Sequence, residues 1–182
     1  MSYPAPAVQV LVLLIVLLAA FWDLRVRRIP NWLTLSGVIL GFGLNGFLYG
    51  SSGLLLSLRG FALGLVIYLG LYLIRAMGAG DAKLMAAVGA TVGAADWIGI
   101  FICTGIVGGI VALLLLAYRR RMRGTLWNVG FLAGELLKFR APYVQREELD
   151  VKSPKAVTLP HGAVIAVGTI AFLIAAHIWA PR

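Results

Sequence analysis

The chain has 182 residues, of which 61% are hydrophobic and 13% are charged, and its mean hydropathy is +0.95. A soluble domain is typically about half apolar and about a quarter charged, so the composition excludes an ordinary soluble protein. The formal net charge of +9 does not indicate a nucleic-acid partner. The basic residues lie between long apolar blocks, where they meet lipid headgroups and set the orientation of the chain.

Six apolar runs follow one another along the chain and predict membrane-spanning helices. Most approach the roughly 20 residues that are needed to cross a hydrocarbon core of about 30 Å. No basic residue precedes the first run and three arginines follow it, whereas a cleavable signal peptide has the reverse charge order. We therefore expect an all-α, polytopic membrane helix bundle with about six transmembrane helices, forming one domain over residues 1–182. The runs cover residues 7–22, 33–50, 54–75, 83–95, 97–118 and 160–179.

Glycines spaced four residues apart recur within these runs. Small residues at this spacing let two apolar helices approach closely along their backbones. We expect these pairs to pack helices within one bundle rather than to form a homodimer. The pairs are Gly37/Gly41, Gly46/Gly50, Gly60/Gly64, Gly89/Gly93 and Gly105/Gly109.

The basic residues are distributed unequally between the two membrane faces. Fourteen of the sixteen Lys and Arg residues lie in the connections at 22–32, 75–83 and 119–159, and only Arg59 and Arg182 remain for the other face. Because positive charge is retained on the cytoplasmic side, these three connections are predicted to be cytoplasmic. Both chain termini are then predicted to be periplasmic.

The connection at 119–159 is the only long one. Its stretch 126–139 is apolar but short for a span, and Asn128, Glu135 and Lys138 interrupt it. We expect this stretch to be a helix that lies in the cytoplasmic interface. The pattern leaves open that this stretch is re-entrant. If it crossed the membrane completely, the orientation of the last span would be inverted.

Three aspartates lie near the ends of predicted spans. A carboxylate at membrane depth costs about 2.5–3.5 kcal/mol on insertion scales, so each one needs an explanation. Asp81 and Asp96 could each be a helix cap, and Asp23 could neutralise neighbouring arginines. Two spans separate Asp23 from Asp81, which places both at the cytoplasmic edge, whereas Asp96 lies at the opposite face. An aspartic peptidase needs such a pair, with one carboxyl ionised to activate water and one protonated to polarise the carbonyl.

Short motifs surround this pair and open the last span. Ile29-Pro30-Asn31 follows Asp23, Gly78-Ala79-Gly80-Asp81-Ala82-Lys83-Leu84 contains Asp81, and Leu159-Pro160-His161-Gly162 begins the final run. Pro30 suits the first turn of a helix, and glycines beside Asp81 let an extended backbone come close. In this order and at these span ends, the motifs resemble the type IV prepilin peptidases. The chain is most similar to the short, single-domain members that serve Flp-type (tight-adherence) pili.

The resemblance implies a function and a set of site residues. It implies hydrolytic removal of a short basic leader from prepilin-like partners at the cytoplasmic face of the bacterial inner membrane, with no metal and no cofactor. Asp23 and Asp81 would be the catalytic pair, and His161 is not expected to be catalytic. N-methylation of the product is not expected, because the cysteine-bearing segment of larger members is lacking and Cys103 is the single cysteine. The residues expected to bind or support the substrate are Gly78, Gly80, Lys83, Pro30, Asn31, Pro160 and Gly162.

Two other functions remain open from the residues. A small proton-coupled transporter would use intramembrane carboxylates as an ion relay, although it would place them near the midplane. A non-catalytic membrane subunit of a pilus or secretion assembly would use both aspartates as helix caps. The pattern also does not say which aspartate is the general base, because the protonation of a coupled pair belongs to the pair.

Overall fold

The computed structural model describes residues 4–118 and 160–179, and these residues form four helices. They are α1 (Pro6–Val26), α2 (Asn31–Leu73), α3 (Ala79–Tyr118) and α4 (His161–Trp179). Each is long and apolar enough to cross a membrane. This confirms the all-α class for the described residues and agrees with a membrane protein. The interfacial helix expected at 126–139, like the whole connection 119–159, lies outside the described residues.

The two long helices each contain one residue with non-helical backbone geometry. In α2 this residue is Gly50, with φ 61° and ψ −139°, and in α3 it is Gly93, with φ 81° and ψ 172°. Positive φ is tolerated at little cost only by glycine. The described residues therefore form four helices where the sequence predicted six spans. Two of the predicted boundaries, at residues 50–54 and 95–97, lie at or near a glycine break within one of these helices.

Each long helix folds back on itself at its glycine. The rings of Phe42 and Phe61 are 6.2 Å apart, although nineteen residues of straight helix would extend about 28 Å. Trp97 Nε1 likewise donates a hydrogen bond of 3.0 Å to the carbonyl of Met85, twelve residues earlier. The two halves of α2, and those of α3, are thus antiparallel neighbours. Six separate crossings of a bilayer stay a prediction.

Glycines bring α2 and α3 into direct backbone contact. A Cβ atom added at Gly60 would overlap the carbonyl oxygen of Gly89, and one added at Gly41 would lie 2.9 Å from the backbone of Ala90. These contacts agree with the packing role predicted for the spaced glycines. Gly105 and Gly109 have no such neighbour among the described residues, so for that pair the structure shows no helix contact.

A buried polar network joins the same two helices. The amide Nδ2 of Asn45 donates to Ser57 Oγ at 2.9 Å and to the carbonyls of Ala90 and Thr91 at 3.2 and 2.9 Å. In an apolar surrounding, an amide with these partners resists separation because each lost bond would leave a polar atom buried. Glycine contacts and the Asn45 network therefore hold the start of α3 in a fixed place beside α2.

The remaining helices complete the bundle. Val12 and Val16 of α1 and Ile165 of α4 are fully buried in one core cluster with α2 and α3. Many other apolar side chains are exposed, among them Phe47 at 88% and Val66 at 67%. A surface with this many exposed apolar side chains is typical of a protein that is surrounded by lipid rather than by water. The bundle leaves the end of α1 and the beginnings of α2, α3 and α4 close together at one end.

Candidate active site

Asp23 lies in the last turns of α1 and is buried, with 8% of its surface exposed. Its Oδ2 accepts a hydrogen bond of 2.8 Å from the backbone N–H of Gly162, at the start of α4. A helix N-terminus presents free N–H groups and a partial positive charge, which stabilise a carboxylate. A Cβ atom at position 162 would lie 3.0 Å from the Cβ of Asp23. The close approach of α4 to Asp23 therefore depends on glycine.

Asp81 lies in the first turn of α3. Its Oδ2 accepts a hydrogen bond of 3.2 Å from the backbone N–H of Gly78, three residues earlier. This is the contact that an acidic residue makes from the first turn of a helix back to the N-cap position. Gly80 faces the connection before α2, because a Cβ atom there would lie 3.4 Å from the Cβ of Ile29. The α1–α2 connection and the first turn of α3 are thus packed together beside Asp81.

One cavity of about 680 Å³ contains both carboxylates. The negative charges of Asp23 and Asp81 are near enough to act on each other. Of the nine residues predicted to form the site, seven line this cavity directly. Its lining consists of Asp23, Arg27, Arg28, Ile29, Pro30, Asn31, Gly78, Ala79, Gly80, Asp81, Lys83 and His161.

The other two predicted residues, Pro160 and Gly162, do not line the cavity but lie at the start of α4, next to it. Gly162 donates to Asp23, as described above, and Pro160 accepts N–H bonds from Ala163 and Val164 at 3.1 and 3.3 Å. Pro160 therefore begins α4 at the point where Gly162 reaches Asp23. The structure brings all nine predicted residues to one end of the bundle, from four different elements.

Asp96 belongs to a different region. It lines a second cavity of about 400 Å³ together with Pro4, Asn45 and Tyr49. The twelve residues of helix from Asp81 to the break at Gly93 extend about 18 Å along the axis, and Asp96 lies just beyond that break. The structure thus separates Asp96 from the Asp23/Asp81 cavity, as the sequence predicted.

Comparison with known proteins identifies the family. Residues 10–113, more than half of the chain, match the model of the type IV leader peptidase family. The chain belongs to this family. The matched range contains both Asp23 and Asp81, and membership implies that the protein is a peptidase. No curated protein and no solved structure matches the chain.

Lys83 gives this leader peptidase a cation at the edge of its cavity. Its Nζ donates a hydrogen bond of 2.9 Å to Asn31 Oδ1, which links the beginning of α3 to the first residue of α2. Arg27 and Arg28 line the same cavity. Within residues 4–118 and 160–179, no three His, Cys, Asp or Glu side chains lie together as metal ligands would.

Sequence reasoning missed Tyr68 and gave His161 no role. Tyr68 is 1% exposed, and its ring centroid lies 6.4 Å from that of His161 at the cavity wall. Tyr68 sits inside a long apolar run, where a tyrosine gives no signal of its own. His161 is next to Gly162 in a motif that was recognised, so its position in the cavity could have been inferred from that neighbour.

Proposed function

We propose that this protein is an aspartic endopeptidase that removes the short N-terminal leader from prepilin-like substrates of the Flp type. The proposed location is the bacterial inner membrane, with multiple crossings, periplasmic termini and the catalytic cavity at the cytoplasmic face. The observation that carries the proposal is that Asp23 and Asp81, 58 positions apart in the chain, line one cavity and interact electrostatically.

The pair can hydrolyse a peptide bond without another catalytic group. One ionised carboxylate takes a proton from water while the water oxygen attacks the scissile carbonyl carbon, and the protonated carboxyl donates its proton to the carbonyl oxygen. Collapse of the tetrahedral intermediate breaks the C–N bond. The departing amine takes a proton from one carboxyl, and a hydroxyl of the intermediate returns a proton to the other, which restores the singly protonated pair. The N–H groups of Gly162 and Gly78 each hold one carboxylate oxygen, which fixes the orientation of both acids before substrate arrives.

The charge of the cavity limits where a basic leader can lie. Arg27, Arg28 and Lys83 surround the two aspartates and repel cationic side chains at short range. We therefore place the basic residues of the leader outside the cavity, with only the scissile bond and its uncharged neighbours between the carboxylates.

An apolar groove of about 370 Å³ adjoins the cavity and shares Asn31 and Lys83 with it. Its other lining residues are Thr34, Leu35, Val38, Phe61, Leu65 and Ala86. Prepilin-like substrates, as the family resemblance implies, carry an apolar segment after the leader. We propose that the groove holds the first apolar side chains of that segment, which would place the scissile bond beside Asp81.

Filling the groove should weaken substrate binding. We expect Leu35→Trp to raise KM about tenfold with little change in kcat, because losing about 1.4 kcal/mol of apolar contact, under two buried methylenes, corresponds to that factor. Leu40→Trp is the matched control, since Leu40 is 53% exposed on the same helix but does not line the groove. Steady-state cleavage kinetics measure both variants, and equal KM values would contradict this binding mode.

A cleavage assay tests the proposed function itself. Purified protein in lipid nanodiscs is mixed with a synthetic substrate that carries a short basic leader, a glycine and an apolar segment. S-adenosylmethionine is added as methyl donor, and the masses of the products are measured by mass spectrometry. We expect one cut, at the end of the leader, which persists in the presence of a chelator, and no added methyl group on the new N-terminus. An intact substrate, with the protein folded, would favour the transporter or the non-catalytic subunit.

A further inference from the structure

Two residues lie at the boundary between the catalytic cavity and the apolar groove. Among the residues that the structure describes, Asn31 and Lys83 are the two that line both spaces. Their side chains are joined by the 2.9 Å bond from Lys83 Nζ to Asn31 Oδ1, and both residues are exposed. A peptide that extends from the aspartates into the groove must therefore pass this pair.

The direction of Lys83 follows from its place on α3. Asp81 and Lys83 are two residues apart, which corresponds to about 200° around the axis of a helix. The two side chains thus leave α3 on different sides, and the lysine reaches Asn31, the first residue of α2. The beginnings of α2 and α3 therefore form a wall between the carboxylates and the groove, with the Asn31–Lys83 pair on it.

The groove itself offers few hydrogen-bond donors to a peptide main chain. Its other lining residues are apolar except Thr34, and the Thr34 hydroxyl already donates at 3.0 Å to the carbonyl of Asn31. A peptide carbonyl that leaves water without finding a donor is unfavourable. An ammonium group has three N–H donors and a side-chain amide has two. The bond between Lys83 and Asn31 uses one of these donors and leaves the others for the carbonyls of a passing peptide.

The same bond contributes little to holding α2 and α3 together. An exposed hydrogen bond to a charged group stabilises a protein only slightly. The two helices are already joined by the buried bonds of Asn45 and by the backbone contact of Gly60 with Gly89. A structural role alone therefore does not explain a pair rich in donors at this boundary.

We propose that the Asn31–Lys83 pair determines which peptide bond of the substrate is cut. The pair binds main-chain carbonyls where the scissile bond meets the apolar segment. With the apolar side chains in the groove and the main chain held at its entrance, a single peptide bond lies between Asp23 and Asp81. This inference rests on the proposed peptidase function. It adds to that function two specificity-determining residues that bind the substrate and take no part in the proton transfers.

A substrate with two competing bonds tests the choice of bond. The glycine at the end of the leader is doubled, so that two bonds, one residue apart, each follow a glycine but differ in their distance from the apolar segment. Wild-type protein in nanodiscs should cut the bond nearer the apolar segment at least about tenfold more often than the other, the preference that one or two hydrogen bonds provide. Mass spectrometry of the products measures this ratio.

Variants of the pair should lose the preference. Lys83→Met and Asn31→Ala should each lower the ratio about tenfold, to near one, while the unfolding temperature stays close to that of wild type. The double variant should lose no more than either single variant, because the two residues act as one unit. Lys83→Arg, which keeps N–H donors at this position, should recover most of the preference.

Arg75→Met is the matched control. Arg75 is an exposed basic residue in the connection between α2 and α3, and it lines neither the cavity nor the groove. Its substitution removes a positive charge near the beginning of α3 without changing the boundary. The ratio should stay within about twofold of wild type, as expected for a surface substitution away from the site.

Equal cutting of both bonds by wild type, or an unchanged preference in both Lys83→Met and Asn31→Ala, would overturn the proposal. Loss of all cleavage in these two variants would also contradict it, because the pair would then serve the reaction or the fold and not the choice of bond. The single-glycine substrate and Asp81→Asn separate this failure from failure of the proposed function. If wild type cuts that substrate and Asp81→Asn does not, only the role of the pair is wrong. If wild type leaves it intact, the proposed function is wrong as well.

Discussion

Asp23→Asn and Asp81→Asn should each abolish leader cleavage, with a loss of at least about 10³-fold in kcat. An amide can neither accept the proton of the attacking water nor donate one to the carbonyl, and losses of this size follow removal of a group from a working catalytic unit. Asn is nearly isosteric with Asp and carries no charge, so insertion and abundance should not suffer. Cleavage kinetics of the purified variants, together with their yield and unfolding temperature, measure both parts of this expectation.

The same substitutions separate catalysis from helix capping. Asp81 makes the backbone contact of a first-turn cap, and Asn satisfies such positions almost as well as Asp. If capping were its whole role, Asp81→Asn would keep full activity. Asp96→Asn is the internal control, because Asp96 lines the other cavity, and cleavage by this variant should stay near the wild-type rate.

Gly60→Ala should destabilise the bundle by about 1–3 kcal/mol or more. The added methyl group would overlap the carbonyl oxygen of Gly89 and lie 2.8 Å from the backbone of Gly93. Backbone atoms cannot rotate away as a side chain can, so α2 and α3 must separate, and overpacking of this kind usually costs such an amount. Separation would also stretch the Asn45 bonds to Ala90 and Thr91.

Gly70→Ala is the matched control on the same helix, since nothing lies within 4 Å of a Cβ atom at that position. It should leave stability unchanged or raise it by up to about 1 kcal/mol, because alanine is the better helix former. Reversible unfolding in mixed micelles, followed by the tryptophan signal, gives both values. Equal stability of the two variants would show that the α2–α3 contact tolerates a methyl group.

Local sequence patterns located the helices to within a few residues. The predicted ends of apolar runs at residue 50 and at residues 95–97 lie at or near the breaks at Gly50 and Gly93. Glycine takes positive φ easily, but Gly93 was interpreted only as a packing residue. The boundaries differ where capping decides them: α3 begins at Ala79, whereas the apolar run was read from residue 83. Charged and small residues at the start of a helix make backbone contacts but do not raise the mean hydropathy. A helix start that is predicted from hydropathy therefore falls several residues after the true start.

Counting spans was enough to predict that Asp23 and Asp81 lie near each other, because two intervening spans return the chain to the same face. Their individual contacts did not follow. Gly162 reaches Asp23 across 139 positions of the chain, and Lys83 reaches Asn31 across 52. No periodic pattern in the sequence predicts partners at these sequence separations, because the packing of the helices determines which residues meet. Tyr68 was missed for the same reason, and the catalytic role of the pair stays a prediction.

The central claim is that Asp23 and Asp81 together contact the reacting atoms, and binding of a transition-state analogue tests it most directly. In the analogue, a peptide of the substrate sequence carries a hydroxyl-bearing tetrahedral carbon in place of the scissile carbonyl, and such compounds bind far more tightly than substrates. Calorimetry should show tight binding by wild type and by Asp96→Asn, and a loss of at least about 100-fold in affinity for both Asp23→Asn and Asp81→Asn. Undiminished binding by either of these two variants would contradict the claim.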